Sequence, residues 1–442
     1  MAAYVQAVPA DFPLVVAGAT GDLCGRLLLP ALARLHAAGQ LPPGFRFIGA
    51  GPQAWSSATF AEHAASRLDS FAGDLSTATR KAFLALLSYR QLDVLDASAF
   101  GALLRESAGG APLTLYLALP TDLMPSAVHG VELSGLSASV RVALEKPFGS
   151  DLDSARSLNA ALARTTANED QVYRVDHILG MPTVQTLPAR VQSLRSASAP
   201  AGGIDTVSIL WEETLALEGR AAFYDRAGAL KDLLQNHLLQ ILCLITMDAR
   251  DDPSGDRPGR RLDALQAVQI PSPDQVRGGS RRARYLAGTL AASGDRPPTA
   301  VPDYVDESGV DPSRATETFA EVALGVDHPG WTGTRFVLRA GKAMARNRRG
   351  VLVRFRDQSA DDVWIDVDQP SADTETAAEA FRAAPLEQLA YVNVLRDLLS
   401  GSNDLSVSGP EAEAAWHVFA PVMQEWEAGS VALEKYPAGT TP

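Results

Sequence analysis

The segment Leu14-Val-Val-Ala-Gly18-Ala-Thr-Gly21-Asp-Leu-Cys-Gly25 decides the fold class. A short apolar run that ends in glycines and passes straight into a helical pattern is a buried strand, a tight turn and a helix. Glycines let the backbone turn sharply and come close to phosphates, and the first turn of the helix offers open N–H donors and a positive dipole. The turn is therefore a candidate pyrophosphate site. An ordinary strand-to-helix turn is the other reading that a GxxGxxxG spacing allows.

The same alternation continues downstream, with apolar runs at 45–49, 113–119 and Val140–Glu145 and helical patterns at 23–38 and 57–70. That rhythm predicts a parallel sheet covered by helices. A helix over 151–164 and a strand over 172–176 extend it, and the alternation is then lost. The expected architecture is a Rossmann-like α/β dinucleotide-binding domain over 1–170 and, over 171–442, an α+β domain with a large, mainly antiparallel sheet. In the second part 202–213, 318–326, 336–338 and 351–355 read as strands and 229–247 as one long helix. The stretches 251–261 and 293–313, rich in Gly, Pro, Asp and Arg, read as surface loops.

Composition narrows the partners. The 442 residues fit two or three domains, and a hydrophobic fraction of 46% with 21% charged residues is that of a globular chain. The 39 basic and 52 acidic residues leave a net charge of −13, which argues against nucleic acid or an anionic membrane as partner. Five basic residues are lysines (Lys81, Lys146, Lys231, Lys342, Lys435) and the rest arginines, so each compact ammonium is worth a question. Cys24 and Cys243 lack metal-ligand or disulfide spacing, and a reducing compartment fits. The N-terminal residues lack the basic and apolar regions of an export signal, and the apolar runs fall short of the ~20 residues a membrane span needs. A cytoplasmic protein is expected.

Several motifs carry chemistry. Leu117-Ala-Leu-Pro120 and Leu144-Glu145-Lys146-Pro147-Phe148-Gly149 end two of the strands, where parallel sheets bind ligands. Lys146 can hydrogen-bond a substrate oxygen beside a cofactor; a surface salt bridge of Glu145 is the plainer account of this motif. In Tyr173-Arg174-Val175-Asp176-His177 a continued strand would turn Asp176 and His177 to opposite faces, so that one meets a base and the other a ligand; a strand-end cap is the alternative. On 229–247, Leu230, Leu234, His237 and Ile241 share one face, which suits a core histidine as well as a catalytic one. Asp232 and Asn236 make that neighbourhood more polar than a core needs. If Asp176 reaches His237, its carboxylate would fix the tautomer and leave the other nitrogen to take a proton.

Together these segments resemble glucose-6-phosphate dehydrogenase. The matching stretches are GATGDL (18–23), YLALP (116–120), EKPFG (145–149), YRVDHILG (173–180), EETLALEGRAAFYD (212–225), LKDLLQNHLLQILCL (230–244), FVLRAGKAM (336–344), AWHVFAPVMQEWE (415–427) and YPAG (436–439), in the family's order. The resemblance implies oxidation of C1 of a glucopyranose, most simply glucose 6-phosphate, to a lactone, with hydride transfer to NAD or NADP. It implies His237 as base and Asp176 as its partner, and Lys146, Glu213 and Asp232 on the sugar ring. His177 and Lys342 would face the substrate phosphate. Gly18, Ala19, Thr20, Gly21, Asp22, Leu23, Pro120 and Lys146 would line the cofactor, no metal is implied, and a homodimer or homotetramer is expected.

Departures from the family pattern bear on specificity. Leu27, Ile178 and Met181 stand where the family has Lys, Tyr and Lys, so the substrate pocket is expected to lack two cations and a phenol. Arg346, Arg348 and Arg349 could compensate from another wall. Gly49-Ala-Gly-Pro52-Gln53 stands where NADP-using members place an arginine, and Arg46 lies at the wrong end of its strand, so NAD is expected to be preferred. Two other readings compete: a catalytically silent paralogue that binds a sugar phosphate, and an oxidoreductase of the inositol-dehydrogenase type. The second does not account for YRVDHILG or LKDLLQNHLLQ.

Overall fold

The computed structural model describes residues 11–217, 219, 221–247, 257–292, 297–369 and 384–442. The chain divides into two compact units, one of Met1–Gly149, Asp153–Pro182 and Glu375–Gly409, the other of Ser150–Leu152, Thr183–Thr374 and Pro410–Pro442.

The first unit is built on β1 (Phe12–Ala17), β2 (Phe45–Gly51), β3 (Leu87–Gln91), β4 (Leu113–Leu117), β5 (Val140–Glu145) and β6 (Val172–Val175). They form a parallel sheet in the order β6-β5-β4-β1-β2-β3, and β15 (Ser406–Val407) adds an antiparallel edge to β6. The order reverses between β1 and β4, the crevice where such sheets bind ligands. β1 is buried from Pro13 to Ala17 because helices cover both faces of the sheet. One of those layers holds 24–37, Ser57–Phe71 and Leu386–Ser400, whose Leu32, Phe60 and Leu395 share a core with Leu14, Val16 and Phe47.

The second unit contains β7 (Ile204–Glu212), β8 (Ser280–Leu286), β11 (Phe319–Leu324), β12 (Arg335–Gly341), β13 (Arg348–Phe355), β14 (Val363–Asp366) and β16 (Leu433–Pro437). Their order is β14-β13-β7-β12-β11-β8-β16, and the pairing is antiparallel except for β7 with β12 and β8 with β16. A separate ribbon joins β9 (Gly288–Leu290) to β10 (Thr299–Val301). The mainly antiparallel sheet expected from the sequence is thus present, with more strands than the apolar runs mark.

Two expectations need correction. The stretch 229–247 is not one regular helix: Leu230–Leu238 is wound in wide π-helical turns and Leu239–Thr246 in ordinary α-helical ones. Gly228, at φ 68° and ψ 175°, kinks the helical stretch Ala221–Ala229 just before the wide turns begin, and a Cβ there would collide with the Glu317 carboxylate. From Leu233 to Ile245 the segment is buried all round, so an apolar stripe opposite a polar face does not describe it. Of the two stretches read as loops, 251–256 and 293–296 lie outside the described residues. Arg257–Gln266 is a helix whose Arg261 is buried against Glu411 at 3.0 Å, and β10 and buried Tyr304 fall within 297–313. An arginine-rich run concealed a helix because a buried charged pair helps to anchor it, beside only two buried apolar residues, Ala264 and Leu265.

Candidate active site

On the first unit the singled-out residues gather along one edge, at the carboxyl ends of β1, β4, β5 and β6. Gly18 ends β1 with φ 85°, a conformation glycine reaches without penalty, and a Cβ there would collide with the carbonyl of Ala118 at the end of β4. Its N–H and that of Ala19 both donate to Ala50 O at 2.9 and 3.1 Å, and Gly21 N–H donates to Gly18 O at 3.0 Å. The helical turns that begin directly after Gly21 leave their leading N–H groups without partners inside the helix, next to the end of β1. Exposed Asp22 pairs with Arg26 at 3.2 Å and Arg67 at 2.8 Å, so two guanidinium groups flank the turn. Pro120 is exposed just after β4, and half-buried Lys146 follows β5.

Asp176 and His177 do not continue β6. The strand ends at Val175, Asp176 accepts the Ile178 N–H at 3.2 Å, and His177–Gly180 forms a 3-10 turn. The carboxylate caps that turn, so the strand-end cap given as the alternative is what the structure shows, and the two-sided strand is not. The His177 ring stacks on Tyr391 with centroids 5.6 Å apart and planes at 19°. Tyr391 in turn donates to the Glu145 carboxylate at 3.0 Å, and Tyr116 donates to the same oxygen at 2.5 Å. The salt bridge considered for Glu145 is therefore replaced by two buried phenols. Burial pushes this carboxyl up to about 7, against the pull of both hydrogen bonds.

That shift has a sign that can be tested. A carboxyl whose folded value is raised holds its proton in the folded chain while the unfolded chain has already released it, so stability is lost as pH rises from about 4.3 through 7. A Glu145→Gln chain lacks this loss. Its melting temperature relative to the native sequence should be higher at pH 8 than at pH 5, and an equal difference at both would show that Glu145 titrates normally.

On the second unit, Glu213 and Lys342 directly follow the parallel neighbours β7 and β12, where Glu212 and Gly341 are in register. Glu213 N–H donates to Gly341 O at 2.9 Å, and its buried carboxylate is ion-paired with Lys342 and, at 2.7 Å, with Arg349. Burial alone would raise this carboxyl, but the two cations outweigh it and hold it below the ordinary carboxylate value. Asp232 and His237 lie on the wide-wound segment that packs over the same sheet. His237 is 4% exposed, its N–H meets Asn236 Oδ1 at 2.6 Å, and its ring lies 6.2 Å from that of Trp211. Asp176 and His237 belong to different units.

Residues 15–186 match the NAD binding domain of glucose-6-phosphate dehydrogenase, and residues 200–376 match its C-terminal domain. The chain belongs to the glucose-6-phosphate dehydrogenase family. The glucose-6-phosphate 1-dehydrogenases of Treponema pallidum and Rhizobium meliloti are 30% and 31% identical to it over 97% and 98% of its length, covering 91% and 95% of theirs. A solved glucose-6-phosphate dehydrogenase in complex with its substrate glucose-6-phosphate superposes with a TM-score of 0.81 at 25% identity, over 99% of this chain and 97% of that one. The likeness covers both units, as the motif order implied.

For a member of this dehydrogenase family the first question is whether the turn fits a nicotinamide dinucleotide. The close approach of Gly18 to Ala118 and the leading N–H groups supply what a pyrophosphate needs, so the backbone of the turn fits, while Arg26 is held by Asp22 and Glu387 and Arg67 by Asp22. At the end of β2, Thr20 donates to Gln53 Oε1 at 2.7 Å, and Tyr89 donates to the Gly51 and Gln53 carbonyls at 2.9 and 3.1 Å. Arg46 is bound at 2.5 Å to Asp11, at the start of β2. Arg90, missed in the sequence, is in register with Ala50 but pairs with Glu106, on the face of β3 opposite Tyr89.

The three departures from the family pattern prove to be packed residues. Leu27 is 2% exposed in the first unit's core, and Ile178 and Met181 are buried in and after the 3-10 turn. Of the arginines offered as compensation, Arg348 is spent on buried Glu212, which it meets at 2.7 and 2.9 Å, and Arg349 on Glu213. Only Arg346 of the three is exposed without an ion pair among the described residues. No helix among the described residues is long and apolar enough to cross a membrane.

Proposed function

We propose that the protein oxidises C1 of a glucopyranose bearing an anionic group at C6, glucose 6-phosphate first, to the lactone, with NAD preferred over NADP. The observation that carries this reading is Glu213, a buried ionised acceptor held by Lys342 and Arg349 beneath the segment that bears Asp232 and His237. It lies on a chain whose nearly full-length relatives are glucose-6-phosphate 1-dehydrogenases.

In this reading His237 takes the C1 hydroxyl proton, and Asp176 is the carboxylate that stabilises the resulting imidazolium. When bound, the nicotinamide accepts hydride from C1. Lys146, Glu213 and Asp232 hold the sugar hydroxyls, and His177 and Lys342 face the phosphate. Gly18, Ala19, Thr20, Gly21, Asp22 and Leu23, with Pro120 and Lys146, seat the dinucleotide. Cofactor binding is assigned to residues 1–170, and sugar binding and self-association, as a homodimer or homotetramer, to 171–442, in the cytoplasm. Incubation with a panel of hexoses and hexose phosphates, with each cofactor, followed by absorbance of the reduced nicotinamide, tests the reaction; silence on every sugar would favour a binding paralogue.

The NAD preference rests on the end of β2, where Pro52 and Gln53 supply no charge, Arg46 is bound to Asp11, and Arg90 lies on the face of β3 opposite Tyr89. A charged hydrogen bond is worth ~1.5–3 kcal/mol, so its absence should favour NAD in kcat/KM by about tenfold or more, and Pro52→Arg should narrow that ratio. A clear advantage for NADP in the native chain sinks this part. A free or differently C6-substituted glucose is a second reading, favoured by the packing of Leu27, Ile178 and Met181 and by the commitment of Arg348 to Glu212. The same hexose panel separates it from the first.

A further inference from the structure

We propose that Arg349 is the positioning residue of the sugar-binding carboxylate, keeping Glu213 ionised and aimed without itself binding the substrate's anionic group. The proposal rests on the reading of Glu213 as a ligand of the sugar ring.

The Arg349 guanidinium has a charged neighbour at both Nη atoms and an indole on one face, while its Nε is buried without a hydrogen-bond partner among the described residues. Nη2 meets Glu213 Oε1 at 2.7 Å, Nη1 lies 3.7 Å from Asp368 Oδ1, and the plane sits over the Trp211 ring, 5.1 Å from its centroid. Trp211 is in turn the aromatic neighbour of His237. A planar fork can satisfy two carboxylates at its edges and an indole on its face at once, which the single ammonium of a lysine cannot. The other Glu213 oxygen is taken by Lys342. Arg349 thus fixes the direction of the carboxylate that Lys342 alone would leave able to swing, and packs the indole that borders the imidazole.

The charges around Glu213 give the sign of the effect. Lys342 faces it from the turn after β12 and Arg349 from β13, and beyond Arg349 stand Asp368 and Asp366. Burial opposes ionisation of Glu213 and the two cations restore it. With Arg349 gone, one cation faces the same burial, and Glu213 takes up a proton at a higher pH. A protonated Glu213 loses its charge as an acceptor for a sugar hydroxyl, weakening substrate and transition state alike.

The test compares Arg349→Met, Arg349→Lys, Glu213→Gln and the Arg349→Met/Glu213→Gln double variant, each with its melting temperature, across pH. In Arg349→Met, KM for the sugar should rise about tenfold with kcat changed much less, and the acidic limb of kcat/KM should move to higher pH. Arg349→Lys keeps the charge and should return the limb most of the way, and the double variant should be little worse than Glu213→Gln. An Arg349→Met chain with native KM and pH profile, beside a Glu213→Gln chain whose KM rises, overturns the proposal and spares the Glu213 reading. A Glu213→Gln chain with native KM overturns both. Loss of melting temperature and kcat that Arg349→Lys does not restore would make Arg349 a structural residue and overturn the positioning role.

Discussion

Replacing His237 by alanine is expected to lower kcat by ~10²–10⁴-fold while leaving sugar affinity within a few-fold, because the imidazole acts on a proton that moves in the transition state. The fold supports such a role by unusual local winding. Nine residues, Leu230–Leu238, are wound in wide turns, which are uncommon and recur at functional sites, and they carry His237 at their end with Asp232 in their first turn. The backbone at His237 is fixed by Asn236, and the ring borders Trp211. Asp176→Asn should also slow turnover severely. The check is steady-state kinetics beside a direct sugar-binding measurement; a His237→Ala chain that turns over at the native rate removes the proposed base, and one that no longer binds sugar shows that the ring holds substrate instead.

The parts of this fold that could be read from the sequence are those where a local pattern does the folding. β1 is a continuous apolar run and β5 an apolar one interrupted only by Arg141 before Glu145, Gly18 announces a turn by composition, and the β-α rhythm follows from period and spacing. β3, Leu-Ser-Tyr-Arg-Gln, and β8, Ser-Arg-Arg-Ala-Arg-Tyr-Leu, were not visible because each has few apolar residues, set among Ser, Arg and Gln in β3 and among Ser280 and three arginines in β8. The wide turns at Cys24–Leu28 and Leu230–Leu238 escaped because assigning a face from spacing assumes ordinary α-helical winding. The carboxyl of Glu145 could not be understood alone either: one of its two phenols, Tyr391, is 246 positions away.

The candidate site divides along the same line. Residue types singled out His237 and Asp176, and the family resemblance added Glu213 and Lys342, but their partners are products of the tertiary fold. Arg348 and Arg349 are adjacent and chemically alike, yet one neutralises Glu212 and the other Glu213. A buried carboxylate without a cation costs several kcal/mol, so each arginine is committed before any substrate arrives. Counting cations near a pocket from the sequence therefore overstates what remains for a phosphate. Leu27 shows the converse, since a position expected to be missing a cation is filled by a core leucine packed with Leu14 and Val16.

Gly18→Ala is expected to cost about 2–5 kcal/mol of stability and to abolish dinucleotide binding. Two separate costs meet at this position. A left-handed backbone at φ 85° is penalised by roughly 1–2 kcal/mol in any residue with a Cβ, and forcing a methyl into occupied space adds roughly 1–3. The obstructing atom is the carbonyl oxygen of Ala118, whose N–H is itself bonded to Ala17 O at 2.9 Å, so it cannot rotate aside as a side chain could. Relief requires parting the ends of β1 and β4, which are the two strands that flank the reversal of the sheet. Moving either displaces the N–H groups that follow Gly21, and affinity for the pyrophosphate goes with them. Gly21→Ala is the contrasting case: a Cβ there would lie 3.2 Å from Gly18 O and the backbone is not left-handed, so a smaller loss is expected. Thermal unfolding and cofactor titration by fluorescence decide the matter, and a Gly18→Ala chain that melts with the native one and binds NAD equally well would mean that the turn neither needs glycine nor seats the cofactor.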